Sequence, residues 1–188
     1  MGMVRAFIAV ELAPELLSRV LDLQKEILAT GADMKAVEPE NIHFTIKFLG
    51  EVPQSTVDEV IRSMSELDFK NFQVEVAGVG CFPTIRNPRV VWIGVRRGLE
   101  DFASLAQQLE DQLKAIGFQP ERERFTAHLT IGRIRSGRNK AELLKKLSEV
   151  LNAEIGEMTV NTIKLKKSTL TPKGPIYTTI HEVRGRDA

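Results

Sequence analysis

The sequence predicts an α+β fold of two pseudo-symmetric lobes, each an antiparallel sheet flanked by helices, with a groove between them. Short apolar runs of strand type alternate with amphipathic helical stretches in the order strand, helix, strand, helix, strand. That order occurs twice along the chain. Matching positions of the two copies keep one register: His43 and His128, Thr45 and Thr130, and Ile46 and Ile131 all stand 85 residues apart.

Taken in order, Phe7 to Val10 is a short apolar strand, and after Pro14 the residues Leu16, Leu17, Val20, Leu21, Leu23, Ile27 and Leu28 recur at helical spacing until Gly31. Ile42 to Leu49, closed by Gly50, reads as a strand. Gln54 to Met64 reads as a helix, and Phe72, Val74, Val76 and Val79 as an alternating strand. Cys81 to Pro88, with Pro83, Asn87 and Pro88, has the turn chemistry of a linker. The second copy then runs through a strand Val90 to Val95, a helix Leu99 to Ile116 ended by Gly117, a strand Ala127 to Ile134, a helix Ala141 to Leu151 and a strand Met158 to Leu165. Phe7-Ile8-Ala9-Val10 lies 85 residues before Trp92-Ile93-Gly94-Val95, so the first strands share the register of the histidines. The expected organisation is one bilobal domain over 1–188, with repeat halves near 4–80 and 89–167. A C-terminal hairpin over 163–184 turns at Pro172-Lys173-Gly174-Pro175 and has no counterpart in the first copy.

With 188 residues, 43% hydrophobic and 27% charged, the chain has ordinary globular usage and enough length for a sizeable core. Its formal charge of +1 argues against a protein that wraps duplex nucleic acid and for one that grips it locally, at an end or in a cleft. A single cysteine, Cys81, excludes an internal disulfide framework and a cysteine-rich zinc site, which makes a reducing, cytoplasmic setting the expectation. No apolar stretch approaches the roughly 18 to 20 residues of a membrane span. The start carries no signal-peptide pattern, and Ala6 stands where a myristoylation motif wants Ser or Thr.

On a strand, residues i and i+2 share a face, so His43 projects with Thr45 and His128 with Thr130, while Phe44, Ile46, Leu129 and Ile131 turn to the core. A twofold relation between lobes would set the two polar pairs facing each other across the groove, around one phosphate. Phosphodiester cleavage needs a base for the attacking oxygen, an acid for the leaving oxygen and donors for the equatorial oxygens. Histidine suits both proton roles near neutrality, and each threonine hydroxyl supplies a donor. No metal or other cofactor is required by this scheme. Zinc normally takes three or four ligands, and no carboxylate or thiol recurs at a fixed offset from the two histidines.

One His-x-Thr on an amphipathic strand is more often a structural pair than a site; two in register, among only three histidines, reverse that balance. His181, without a matched threonine, reads as structural, and Cys81 as packing. Strand alternation sets Lys47 on the face of His43 and Thr45 as a candidate substrate ligand; its equivalent in the second copy is Gly132. Arg133, Arg135, Arg138, Lys140, Lys145 and Lys146, with Arg86, Arg89, Arg96 and Arg97, form local basic clusters that would draw a phosphate backbone.

These residues resemble the 2H phosphoesterase superfamily, named for its two His-x-Thr motifs, and within it the LigT-like RNA 2′,3′-cyclic phosphodiesterases, also called 2′-5′ RNA ligases. The resemblance is carried by Arg5 to Val10, Asn41 to Gly50, Phe82-Pro83, Trp92 to Val95, His128 to Arg133 and Ser168 to Tyr177. It implies hydrolysis of RNA terminal 2′,3′-cyclic phosphate to a 2′-phosphate, and the reverse joining of tRNA halves through a 2′-5′ linkage. It also implies His43 as proton donor, His128 as proton acceptor and Arg133 as a substrate contact; a monomer is expected. Where the family commonly has proline before the second histidine, this chain has Ala127. Strict alternation from His128 turns Arg133 to the opposite face, and a bulge near Gly132 would re-aim it. The alternatives are a cyclic phosphodiesterase for small molecules such as ADP-ribose 1″,2″-cyclic phosphate, and a module that binds RNA ends without chemistry.

Overall fold

The computed structural model describes residues 2–188. The first repeat supplies β1 (Met3–Glu11), α1 (Pro14–Leu28), the short β2 (Met34–Ala36), β3 (His43–Pro53), α2 (Gln54–Ser65) and β4 (Phe72–Thr84). The second supplies β5 (Asn87–Arg97), α3 (Leu99–Ala115), β6 (His128–Ile134), α4 (Lys140–Glu149), β7 (Glu154–Val160) and β8 (Thr162–Thr171), and β9 (Gly174–Arg184) closes the chain. The helices form where apolar spacing predicts them. Leu16, Val20, Leu23 and Ile27 line the buried stripe of α1, which starts at Pro14. Phe102, Leu105, Leu109 and Leu113 do the same for α3.

All strands join one antiparallel sheet in the order β7-β4-β5-β6-β3-β1-β8-β9, with β2 on the same edge of β6 as β3. The sheet is thinnest at its middle, where β3 and β6 pair at one position, Phe44 opposite Leu129. That seam divides it into the halves β3-β1-β8-β9 and β6-β5-β4-β7. The halves in space are not the halves in sequence: β4, from the first repeat, pairs with β5, while β8 takes the corresponding place beside β1. Each repeat therefore lends its last strand to the other half, which locks the two together.

Two boundaries differ from the sequence expectation. The segment expected as a linker is a β4–β5 hairpin whose prolines, Pro83 and Pro88, face each other near its tip, where the ladder is ending and a missing N–H costs little. The single strand expected over 158–165 is two strands, because the apolar alternation through Met158 and Val160 slips phase at Asn161 before resuming at Ile163 and Leu165. One residue thus joins strands from opposite ends of the sheet order. The sheet curls to allow this, and backbone bonds from Gly185 N to Asn161 O at 2.9 Å and from Arg186 N to Phe69 O at 2.8 Å hold its margins together. Helices cover one face of the sheet, burying Phe44, Ile93, Leu129 and Ile131 completely, and the opposite face carries the polar pairs.

Candidate active site

His43 and Thr45 begin β3, and His128 and Thr130 begin β6. Burial alternates identically on the two: the histidine and threonine are half-buried, and the residue after each is buried. With Phe44 opposite Leu129, the antiparallel register continued one residue each way sets His43 across from Thr130 and Thr45 across from His128. The four polar groups therefore converge on the seam, on the face without helices.

The two imidazoles are held in the same way. His128 Nδ1 lies 2.9 Å from the Thr126 carbonyl, which only accepts, so Nδ1 carries the proton and Nε2 is left open. His43 is bonded to the backbone of Asn41, likewise two residues before it. Its Nε2 lies 3.0 Å from Thr45 Oγ1, an arrangement in which the hydroxyl donates to a neutral ring. Aromatic walls complete each pair. Phe7 stacks on His43 with centroids 4.9 Å apart and Tyr177 meets it edge-on at 5.3 Å. Phe82 meets His128 edge-on at 5.1 Å, with Trp92 at 6.1 Å. Phe7 and Trp92 are repeat equivalents. Gly80 permits the second wall, since a Cβ there would land on the Trp92 indole.

Burial is the largest influence on His43 and, with the positive charge of Lys166, pushes its pKa from the usual 6.5 to about 4; Glu11 and the Asn41 backbone act in the opposite sense. The cation belongs to a triad: Glu11 accepts from Lys164 at 3.0 Å and from Lys166 at 2.7 Å. Burial raises the Glu11 carboxyl, but its bonds to the two lysines outweigh this and hold it below the ordinary value. Burial likewise raises Tyr177, opposed by the charges of Arg133 and Arg5.

Both site strands carry a β-bulge at the same repeat position. Ile8 pairs with Lys47 and Ala9 with Thr45, leaving Ile46 extra; Val91 pairs with Gly132 and Trp92 with Thr130, leaving Ile131 extra. Each bulge reverses the facing of the residues beyond it. Arg133, opposite Val90, accordingly returns to the face of His128 and Thr130, as a bulge there was expected to achieve. The arginine ion pairs of the described residues involve Arg96, Arg97, Arg138, Arg184 and Arg186, leaving Arg133 uncommitted and exposed.

For Lys47 the same device overturns the sequence expectation. The bulge at Ile46 turns it away from Thr45 into the helix side, where it is 4% exposed. Its Nζ donates to Gln119 O at 2.7 Å and pairs with Glu110 at 3.0 Å and Glu121 at 3.5 Å. Lys47 is therefore a buried anchor for the segment leading to His128, not a groove-facing ligand.

His181 lies apart on β9, 3.2 Å from Ser65 Oγ of α2. Cys81 is buried in β4, and burial pushes its thiol up to about 11, the wrong direction for a nucleophile. Sequence reasoning missed the aromatic walls and the Glu11–Lys164–Lys166 triad; the shared register of Phe7 and Trp92 was the available signal. Among the described residues no three His, Cys, Asp or Glu side chains cluster as metal ligands would, and no helix is long and apolar enough to cross a membrane.

The family pattern described as LigT like Phosphoesterase matches this chain twice, over residues 10–92 and 93–177. The chain belongs to the LigT-like phosphoesterase family. The two matches divide this phosphoesterase between its repeats, each with one His-x-Thr strand. It is 40% identical over 184 residues to the RNA 2′,3′-cyclic phosphodiesterase of Methanothermobacter thermautotrophicus, covering 96% of this chain and 98% of that protein. It is 41% identical over 174 residues to the protein of the same name from Archaeoglobus fulgidus, covering 92% and 96%. Among solved structures, a Thermus thermophilus protein superposes on the phosphoesterase with a TM-score of 0.79 at 26% identity, covering 96% of this chain and 97% of that one.

Proposed function

We propose that this cyclic phosphodiesterase hydrolyses the terminal 2′,3′-cyclic phosphate of RNA to a 2′-phosphate, without a metal, using His43 and His128 as opposed acid and base. The carrying observation is the pairing of two His-x-Thr strands across one seam, at Phe44 opposite Leu129, the central residue of each motif. The names of the archaeal relatives supply the substrate class.

In this reading the cyclic phosphate sits over the seam with Thr45 and Thr130 donating to its non-bridging oxygens. The bare Nε2 of His128, fixed by the Thr126 carbonyl, takes a proton from water as the oxygen attacks phosphorus. The bond to O3′ breaks in line, and His43 protonates that oxygen, leaving the phosphate on O2′. His43 is neutral in the free site, so it must gain its proton with the substrate, whose phosphate anion and the charge developing on it raise the ring's pKa. Arg133 balances that anion. Water replaced by the 5′-hydroxyl of a second strand would yield a 2′-5′ linkage through the same groups, which is how tRNA halves would be joined.

Turnover of an oligonucleotide ending in a 2′,3′-cyclic phosphate, measured in excess EDTA, tests the reading. Resistance to EDTA together with loss of turnover in His43→Ala and in His128→Ala is the expected result. Turnover retained in both variants, or abolished by EDTA and restored by a divalent metal, would reject it.

A further inference from the structure

The bulges that re-aim Arg133 have a second consequence, because the residue at the equivalent position of the first repeat is Phe48. Past Ile46 the facing of β3 reverses: Lys47 goes inward, and Phe48, opposite Phe7, turns to the groove face. Phe48 is an aromatic side chain left 69% exposed, with its ring 6.3 Å from Phe7, which itself stacks on His43 at 4.9 Å. The groove thus has a cationic residue beyond Thr130 on β6 and an aromatic one beyond Thr45 on β3, at matched positions.

Beside Phe48 lies a cavity of about 590 Å³ walled by Phe118, Pro120 and Arg122. Cavities of roughly 300 to 1,000 Å³ accept compact organic ligands. Its wall is not a loose loop: Lys47, at its floor, holds Gln119 O at 2.7 Å and pairs with Glu121 at 3.5 Å. The opposite end of the groove is occupied by the β8–β9 hairpin, with Asn41 Nδ2 donating to Pro175 O at 3.3 Å and Tyr177 against the His43 ring. A chain whose cyclic-phosphate end lies over the seam can leave it past the exposed Phe48.

We propose that this cavity is a subsite for the base of the nucleotide preceding the cyclic-phosphate end, stacked on Phe48, so that the enzyme favours RNA ends over mononucleotides. The inference rests on the RNA-end reading above and adds to it the chain direction and a specificity-determining residue. Stacking of a base on an aromatic side chain is sequence-tolerant and is worth roughly fivefold to 150-fold in binding per base, which suits an enzyme acting on ends of varied sequence.

The test compares kcat/KM for three substrates: a nucleoside 2′,3′-cyclic phosphate, a dinucleotide ending in the same cyclic nucleotide, and that dinucleotide without the first base. In the wild-type protein the dinucleotide should be favoured over the mononucleotide by on the order of tenfold, and the abasic dinucleotide should lose most of the gain. Phe48→Ala should lower the dinucleotide-to-mononucleotide ratio to the abasic level and have no further effect on the abasic ratio; Phe48→Tyr should retain the gain. An abasic dinucleotide as good as the full one, or a ratio unchanged in Phe48→Ala, overturns the subsite while cyclic-phosphate hydrolysis stands. No turnover of any of the three overturns the functional reading itself, and the subsite with it.

Discussion

Replacing Lys47 by Met removes one partner of an ion pair that is 4% exposed on the lysine side and 18% on the Glu110 side. Breaking a buried pair in this way costs about 3–5 kcal/mol, because the surviving charge stays desolvated. Here the lower end applies, since Glu110 keeps some solvent and Glu121, at 60% exposure, loses little. The lost bond to Gln119 O is part of the same cost. A loss of about 3 kcal/mol corresponds to a fall in Tm of roughly 6–12 °C for a chain of this size. Thermal denaturation followed by circular dichroism measures it, and the double variant Lys47→Met/Glu110→Leu should regain much of the loss, because it removes the stranded carboxylate. A Tm within about 1 °C of wild type, accompanied by a large rise in KM, would refute the anchoring role and return Lys47 to the substrate.

The depressed pKa of His43 makes stability depend on pH with a definite sign. The unfolded ring binds a proton below about 6.5 and the folded ring only below about 4, so stability from this group is present above 6.5 and lost as pH falls toward 4. The loss is at most about 3 kcal/mol. Urea unfolding at pH 7 and 4.5 should show it in wild type and not in His43→Gln. Arg133→Ala should lower kcat/KM by roughly 10- to 100-fold through loss of a charge-assisted contact while leaving Tm unchanged, since Arg133 is exposed and outside the arginine ion pairs. Thr45→Ala and Thr130→Ala should each lower kcat by about 100- to 1,000-fold, read from single-turnover kinetics. With His43 as the acid, kcat/KM should fall above about pH 4 while kcat holds to higher pH, because only the complex raises the ring's pKa.

The paired motifs and their shared face were legible because strand alternation is local and the 85-residue register is written in the residues themselves. Lys47 was not, because a bulge is a property of two strands: Ile46 is extra only relative to β1. Near Arg133 a glycine advertised the irregularity, and near Lys47 no residue did, although the register that equates Ile46 with Ile131 would have carried the one bulge over to the other. The exchange of β4 and β8 between halves was hidden for a related reason. Repeats in sequence say which elements resemble each other and are silent on which strands pair, and these pairings are long-range. The three residues of β2 are too few to show a period.

The proposal that one site, built from both repeats, opens a cyclic phosphate at O3′ is tested most directly by phosphorus NMR. The spectrum to record is that of the product from an RNA ending in 2′,3′-cyclic phosphate, with wild-type protein and with each single histidine variant. A 2′-phosphate from wild type and unreacted substrate from His43→Ala and His128→Ala is the expected result. A 3′-phosphate, or product from both variants, would contradict it.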